Sequence, residues 1–502
     1  MKDKIIIFTL LLILLAGCED VLEKKPYVSV PDFEMFKDVE GAEAALIGVY
    51  NSMTSADYYG RHMYAYEGSK GPDFFVEDTG NRFETENAYR ETSTSDGYSD
   101  VAWDKIYSTI FLCNNILANI ELIDGEEDEK RRIKGETLAI RGLAYFDLMR
   151  MFAYPPIYSI AGGEKYNDKY KLGVPLILSQ KEHVDAAYEG PMRADADVCY
   201  DQIVTDLSDA IVNLTGVSPA DGRVSIVAAN AILARVYMYM GQWGNVITAG
   251  ENAISGTLLT HDDFVKNYYK PYNSESIWEL EYSVADDLGS NALNSLARNP
   301  TIDIPGDPND GQVEDSKVGY AGYGGNSFLR AALRETGTDV REYLICDNRT
   351  GNETGVRKYI GDGAHSVHNV PLVRLPEVYL TLAEAYAEQG TNLAMAAEYL
   401  NNVYEQRHGV AYVAPATAAL LIEDVLKERR KELVFEGHTY WDHFRRAIPF
   451  TRENLGSITP ESVNIDYSQP QVVYPIPMNE MESNPNIRGQ QNPGYAPYVA
   501  GQ

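Results

Sequence analysis

The sequence predicts a mainly all-α protein, built of helical hairpins that are joined by long irregular loops and accompanied by a few short β-strands. Three observations lead to this prediction. Apolar residues recur at helical spacing over most of the chain after residue 38. Glycine-containing turns join several of these stretches in pairs. Two blocks, residues 54–100 and 285–370, are rich in turn-forming residues and show no sustained period, which is typical of loops.

The composition is that of a large, acidic globular protein. With 502 residues, of which 44% are hydrophobic, the chain has enough apolar side chains for an extensive core. Its 74 acidic and 43 basic residues give a formal net charge of -31. This charge disfavours nucleic-acid binding and broad contact with anionic membranes. No two of the four cysteines have C-x-x-C spacing, so a metal or redox motif of that kind is absent from the sequence.

The N-terminus predicts export and lipid anchoring. An apolar run over residues 5–16 follows a basic start and is too short to span a bilayer. The run ends in Leu15-Ala16-Gly17-Cys18, which resembles a lipobox, where a peptidase cuts before a cysteine that then carries diacylglycerol. The acidic residues after Cys18 resemble the surface-export signal of Bacteroidetes lipoproteins. We therefore expect a signal peptide over residues 1–17, lipidation with palmitate or a similar chain at Cys18, and a tether over residues 18–37.

The first half of the chain contains four predicted helices. Residues 39–53 place their apolar side chains on one stripe. Residues 101–122 and 129–152 are two longer periodic stretches, and the acidic turn between them predicts a helical hairpin. An excursion rich in Pro and Gly over residues 154–196 precedes a further helix over residues 196–213.

The second half contains two further predicted hairpins. Residues 225–239 and 245–255 form the first, with a turn at residues 241–244 and small alanines that allow close helix approach. Residues 371–407 form the next. A Gly-rich turn between two packed helices resembles a tetratricopeptide unit. Alternating apolar residues within 276–283 predict a short strand.

Four stretches carry the most specific motifs of the chain. The first two are Trp103-Asp104-Lys105-Ile106-Tyr107, followed by Cys113-Asn114-Asn115-Ile116, and Gly135-Glu136-Thr137-Leu138-Ala139-Ile140-Arg141-Gly142-Leu143-Ala144-Tyr145-Phe146-Asp147-Leu148. The last two are Glu428-Arg429-Arg430-Lys431-Glu432-Leu433-Val434-Phe435-Glu436-Gly437-His438 and Tyr474-Pro475-Ile476-Pro477, with Gln491-Asn492-Pro493-Gly494-Tyr495. In this order, and together with the lipobox, they resemble the SusD/RagB family of outer-membrane nutrient-binding lipoproteins. The helix after Gly437 departs from the family pattern, which often has Arg followed by an Asp-Leu-Arg run.

The resemblance implies a fold, a location and a partner. It implies a single SusD-like helical body, with an N-terminal region over residues 38–220 and a C-terminal region over residues 221–502, each carrying one loop block. The implied partner is a SusC-like TonB-dependent β-barrel of the outer membrane, on which the protein sits as a lid. Most relatives bind glycans, whereas the RagB branch handles peptides. We therefore expect a surface-exposed lipoprotein that captures glycans for a transporter, with peptide capture as the alternative.

The candidate ligand-binding residues are aromatic and polar residues of the two loop blocks. Tyrosine suits a sugar because it joins a flat apolar face to a hydroxyl, and the chain has 36 tyrosines. Those on predicted helices have packing spacing, so loop aromatics are the better candidates. The first block offers Tyr58, Tyr59, Tyr64, Tyr66, Phe74, Phe75, Tyr89 and Tyr98. Relatives place their site between the two blocks, which implies Asp73, Arg82, Tyr98, Tyr320 and Tyr323 as ligand-binding residues. Loop packing or contact with the transporter is the alternative role for each.

Motifs for catalysis are missing from the sequence. It has no G-x-S-x-G, H-E-x-x-H, Walker or G-x-G-x-x-G motif, so we predict that the protein is not an enzyme and needs no cofactor. A surface glycoside hydrolase is a further alternative, because any two of the 74 acidic residues can converge in a fold. The carboxylate-rich loop over residues 303–315 lacks EF-hand spacing, so no metal site is predicted. The charged run over residues 427–432 predicts a salt-bridged helix face.

Overall fold

The computed structural model describes residues 35–76, 82–93, 97–179, 190–297, 322–347, 354–356, 358–359 and 366–499. Within these residues the protein is mainly helical. Its α-helices are α1 (Val39–Met53), α2 (His62–Lys70), α3 (Glu84–Asn87), α4 (Gly97–Asn119), α5 (Glu127–Phe152), α6 (Pro156–Ser159), α7 (Ala196–Leu214), α8 (Ile226–Tyr239), α9 (Trp243–Asn252), α10 (Phe264–Asn267), α11 (Leu293–Ala297), α12 (Ser327–Arg334), α13 (Leu375–Gln389), α14 (Leu393–His408), α15 (Ala418–Glu432), α16 (Thr439–Arg445) and α17 (Met478–Ser483).

The strands of the described residues are short and form three small antiparallel sheets. The largest has the order β1 (Phe74–Val76), β3 (Tyr323–Gly325), β5 (Thr354–Val356) and β4 (Ile345–Asp347). The others pair β2 (Ser276–Leu280) with β6 (Val370–Arg374) and β7 (Phe450–Thr451) with β8 (Asn464–Ile465). Strand β2 confirms the strand predicted in residues 276–283. The four-stranded sheet joins the two blocks that were predicted as loops, with Phe74 opposite Gly325.

Helices α1, α4, α5 and α7 form the N-terminal bundle. Every residue of α5 from Gly135 to Phe152 is buried, since the helix packs against neighbours on all sides. A Cβ atom at Gly135 would lie 2.7 Å from Leu214 Cγ, so only glycine allows α7 to approach this closely. Arg141 on α5 donates to both carboxylate oxygens of Asp206 on α7, at 2.8 and 2.6 Å. The predicted hairpin of residues 101–122 and 129–152 is confirmed by α4 and α5.

The C-terminal half contains the two other predicted hairpins. Helices α8 and α9 form one, and α13 and α14 form the next, with α15 packed beside α13. The Ser225 side chain accepts from the Ala228 amide at 3.1 Å and caps α8. Gly390, with φ 67°, ends α13 in the left-handed region that favours glycine. These hairpins confirm the all-α, tetratricopeptide-like fold class. The first residues of the predicted third hairpin form β6 instead of helix.

The prediction of irregular loops is wrong in several described segments of both blocks. Residues 54–100 contain α2, β1, α3 and the start of α4, and residues 285–370 contain α11, α12, β3, β4 and β5. All nine residues of α2 are buried, so the helix has no polar face and shows no amphipathic period. The described part of residues 54–100 folds inward and places most of its aromatic rings in the core. Of the eight aromatic residues that were predicted as candidates in this block, seven are buried: Tyr58, Tyr59, Tyr64, Tyr66, Phe74, Phe75 and Tyr89.

Glu67 on α2 makes the stability of this fold dependent on pH. Burial raises the pKa of its carboxyl to about 8, and nearby carboxylates add to the shift. The folded protein therefore keeps a proton that the unfolded chain loses near pH 4.5. We expect the free energy of unfolding to fall as the pH rises from about 4.5 to about 8, by on the order of a few kcal/mol from this group.

The Glu67→Gln variant removes the ionisable group and retains the size of the side chain. Urea titrations of both proteins at pH 5, 7 and 9 measure the effect. The variant is expected to match the wild type at pH 5 and to be the more stable protein at pH 9. Parallel pH profiles for the two proteins would contradict this assignment.

Candidate ligand-binding site

Tyr98, at the start of α4, lies where the two predicted loop blocks meet. Its ring stacks on that of Phe83, with ring centres 4.1 Å apart and planes 8° apart. Phe83 is buried and has φ 57°, a left-handed conformation that is costly for an aromatic residue. The Tyr98 side chain is half-buried. The stack thus holds one face of Tyr98 against the core and leaves part of the ring at the surface.

Two arginines flank the stacked rings. The guanidinium carbon of Arg61 lies 5.6 Å from the Tyr98 ring centre and 5.7 Å from the Phe83 ring centre. Because these distances are nearly equal, Arg61 lies at the edge of the stack and not over its outer face. Arg61 Nη1 donates to Asn291 Oδ1 at 3.1 Å. Arg82 donates to the backbone carbonyl of Ser290. Both arginines therefore attach the first block to the turn at residues 289–291 of the second.

The polar groups of this site are suited to a hydroxylated ligand. Burial raises the pKa of the Tyr98 hydroxyl, while the nearby Arg61 lowers it by a smaller amount. The phenol therefore stays protonated at neutral pH. Asn291 and Ser290 are exposed and supply amide and hydroxyl groups beside the arginines. Rings with adjacent forked donors bind sugars through C–H faces and hydroxyl pairs. We name Arg61, Arg82, Tyr98, Ser290 and Asn291 the Tyr98 site. Within it Arg61 is buried, at 6% exposed, and acts by positioning Asn291, whereas the other four side chains are at least partly open to solvent.

The structure brings together only some of the residues predicted for the ligand. Arg82 and Tyr98 lie in the Tyr98 site. Asp73 is buried and accepts from Arg430 Nε at 2.8 Å. Tyr323 is also buried, on β3, and its hydroxyl donates to the Ala65 carbonyl at 2.8 Å. A direct ligand contact from either buried side chain would require it to become exposed. Tyr320, like Cys18, lies outside the described residues.

Arg61, Ser290 and Asn291 were missed by the sequence reasoning. Arg61 follows a Tyr-Tyr-Gly run without any recognisable period, and Asn291 lies far along the chain from it. No local pattern predicts that these two residues meet, because the contact depends on the folding of α2 against the second block. The prediction that the ligand site lies between the two blocks was the only indication of where these residues lie.

Membrane-spanning helices and metal-binding clusters are absent from the described ranges. No helix there is sufficiently long and apolar to cross a membrane. In the same part of the chain, no group of three or more His, Cys, Asp or Glu side chains is arranged to hold a metal ion. The carboxylate-rich loop over residues 303–315 lies outside the described residues.

The described residues thus form helical hairpins with a half-buried tyrosine ring at the surface between the two blocks. The comparison with known families makes this more specific. A family model described as "Starch-binding associating with outer membrane" matches residues 20–238, and the SusD family model matches residues 348–495. The chain belongs to the SusD/RagB family, as its motifs predicted.

The similarity to several known proteins extends over nearly the whole chain. SusD-like protein P2 of Formosa agariphila is 23% identical over 535 residues, which cover 99% of this chain and 100% of that protein. A SusD-like protein of Bacteroides ovatus is 23% identical over 88% of this chain and 82% of its own length. The crystal structure of a putative sugar binding protein from Bacteroides vulgatus has a TM-score of 0.78 at 29% identity, covering 92% of this chain and 99% of that chain. A laminarin-binding SusD-like protein shares the fold, with a TM-score of 0.69 at 22% identity over 91% of this chain and 100% of its own.

Proposed function

We propose that the protein is a cell-surface lipoprotein that captures oligo- or polysaccharides and delivers them to a SusC-like TonB-dependent transporter of the outer membrane. The observation that carries this proposal is the Tyr98 site, where a half-buried ring stacked on Phe83 lies beside two arginines that are held in place by the second block. Membership of the SusD/RagB family and the sugar-binding description of a similar structure support a glycan as the ligand.

Capture at such a site needs no chemical step. The Tyr98 ring offers an apolar face to the C–H groups of a sugar ring, and its hydroxyl donates a hydrogen bond. The buried Arg61 guanidinium is held by Asp57 and Asn291, at 3.4 and 3.1 Å. Because this contact already orders the exposed Asn291 side chain, little side-chain entropy is lost when a ligand binds to it. A carrier that holds its cargo through stacking and hydrogen bonds can release it unchanged to a transporter.

We expect Tyr98→Ala to weaken glycan binding by about 1 kcal/mol or more, which is roughly a fivefold loss of affinity, since the stacking face is removed. Isothermal titration calorimetry against a panel of oligosaccharides and peptides measures this loss. The matched control is Tyr343→Ala, because Tyr343 is an exposed tyrosine at 45% that lies outside the Tyr98 site. Unchanged affinity in Tyr98→Ala, or equal losses in both variants, would contradict the site assignment.

The same panel separates the alternative functions. A peptide that binds while every oligosaccharide fails would favour a RagB-like peptide carrier. Shortened polysaccharide products that accumulate steadily with time would identify a glycoside hydrolase instead.

The proposed location depends on Cys18 as the lipid attachment site, with an anchor of two or more acyl chains giving stable attachment. Metabolic labelling with an alkyne fatty acid is expected to mark the protein, and an unlabelled mature chain would exclude the anchor. The family model's description of association with the outer membrane supports this location. Co-purification of a TonB-dependent barrel with the tagged protein from its own membranes tests the partner.

A further inference from the structure

A cleft lies at the surface between the turn that joins α8 to α9, the loop after α6 and the end of α13. Its volume is about 580 Å³, within the range of roughly 300–1,000 Å³ for ligand pockets. We call it the Trp243 cleft and define it by lining residues that share no member with the Tyr98 site: Ile157, Ile160, Gln242, Trp243, Glu388 and Arg446.

Trp243 is the one tryptophan of the chain that is partly open to solvent. The sequence has four tryptophans, all within the described residues, and Trp103, Trp278 and Trp441 are each at most 3% exposed. Trp243 is half-buried, with part of its indole packed against the core and part lining the cleft. A fixed indole at the wall of a concave site is a flat apolar platform for a ligand.

Arg446 is held rigidly beside this platform. Its Nη1 donates to Glu384 Oε1 at 2.7 Å, and its Nη2 donates to Glu388 Oε1 at 2.5 Å. Both carboxylates come from α13, so the plane of the guanidinium is fixed. The remaining nitrogen, Nε, is buried and has no hydrogen-bond partner among the described residues. A buried donor without an acceptor is costly, which favours an acceptor from water or a ligand.

The rest of the lining offers apolar walls and oriented polar groups. Ile157 and Ile160 are half-buried and form the apolar side. Gln242 is exposed, and its Oε1 accepts from Asn245 Nδ2 at 2.7 Å. This bond sets the orientation of the amide and leaves Nε2 as a donor at the rim. Planar amide, guanidinium and carboxylate groups around an aromatic face match the neighbouring hydroxyls of a sugar ring.

The geometry points to a second glycan-binding site in the Trp243 cleft, one that takes a short neutral oligosaccharide or one segment of a longer chain. This inference rests on the proposed function, because it assumes that the protein binds glycans. The cleft is concave and of ligand size, whereas a protein partner would need a broad surface of about 800 Å² on each side. Two sites on one body retain a long polysaccharide better than one site, since the second contact becomes intramolecular.

Intrinsic fluorescence of the full-length protein tests the cleft directly, because the three other tryptophans are buried. The probes are maltohexaose, laminarihexaose, cellohexaose and xylohexaose. We expect at least one of them to change the tryptophan emission of the wild type, and we expect this change to vanish in Trp243→Phe. In affinity gels that contain the matching polysaccharide, the affinity of Trp243→Ala is expected to be about tenfold or more below that of the wild type. Gln242→Ala, a change at the exposed rim, is expected to weaken binding without altering the melting temperature, and Tyr343→Ala serves as the control.

The outcomes separate this inference from the proposed function. If calorimetry shows oligosaccharide binding that Tyr98→Ala weakens, and Trp243→Ala and Gln242→Ala leave it unchanged, the inference of a second site in the Trp243 cleft is wrong and the proposed function stands. If the Trp243 variants lose binding and Tyr98→Ala does not, the cleft stands and the Tyr98 site is wrong. If no probe and no polysaccharide binds, both proposals fail together.

Discussion

Replacing Glu432 by Gln is expected to lower the free energy of unfolding by about 3–5 kcal/mol, because the change leaves three buried guanidinium groups without their shared carboxylate. Glu432 ends α15 and is buried. Its Oε1 accepts from Arg374 at 3.0 Å and from Arg407 at 3.2 Å, and its Oε2 accepts from Arg341 at 3.2 Å. Although burial raises the pKa of Glu432, the three guanidiniums hold it well below its usual value.

These contacts connect distant parts of the chain. Arg374 ends β6, Arg407 lies near the end of α14, and Arg341 follows α12. The buried carboxylate thus links the last hairpin, a sheet and the second block at one point. Gln has the same shape as Glu, so a loss of stability in Glu432→Gln reports the charge and not a cavity.

Urea titration of the purified protein measures the effect of Glu432→Gln. The matched control is Glu342→Gln, whose partner Arg334 lies 2.6 Å away in a surface pair with side chains 41% and 56% exposed. This surface pair is expected to contribute less than about 1 kcal/mol. Similar losses for the two variants would show that the buried cluster does not stabilise the fold through its charges.

Asp147→Asn is expected to have the next largest effect, a loss of about 3 kcal/mol or more in the free energy of unfolding. Asp147 lies on α5 and is buried. Its Oδ2 accepts from the Tyr58 and Tyr59 hydroxyls, each at 2.7 Å, and its Oδ1 accepts from Arg150 Nη2 at 2.5 Å. Asn presents an amide donor in place of one acceptor and leaves the buried Arg150 without a counter-charge.

This substitution also tests how the first block is attached to the helical body. Tyr58 and Tyr59 precede α2, and Asp147 is their common anchor on α5. Asp168→Asn is the control, because Tyr166 donates to Asp168 at 3.3 Å in an exposed pair. Denaturation curves for the two variants are expected to differ by at least about 2 kcal/mol. If Asp147→Asn unfolds at the same urea concentration as Asp168→Asn, the attachment is weaker than the contacts indicate.

Much of the fold could be predicted from local patterns. Helix α1 has the bounds that its apolar stripe predicted, and the hairpins α4–α5, α8–α9 and α13–α14 follow from helical periods interrupted by turns. Each of these helices could be predicted because its sequence has a regular apolar pattern or a turn residue, such as Gly390, at its end. Helix α2 escaped prediction because all of its faces are buried, so it has no polar side to mark a period.

Less of the candidate site could be predicted. Arg82 and Tyr98 were proposed from the family pattern. Tyr98 stacks on Phe83, the chain neighbour of Arg82, whereas Asp73 and Tyr323 lie inside the protein. The charged run over residues 427–432 was predicted as a salt-bridged helix face. It does form ion pairs, but Glu428, Arg429 and Glu432 are buried and pair with residues of other elements. Spacing along one helix shows which charged residues share a face. It does not show whether that face is exposed to solvent or packs against other elements.

The sequence by itself determined the family of the protein, because helical periods and the ordered motifs are properties of neighbouring residues. The tertiary structure alone decided which aromatic rings remain at the surface. Tyr58 and Tyr98 have the same chemistry and both come from the irregular block, yet Tyr58 is buried against Asp147 and Tyr98 is half-buried on Phe83. Tyr58 is buried through a partner 89 residues along the chain, and no local pattern encodes such a partner.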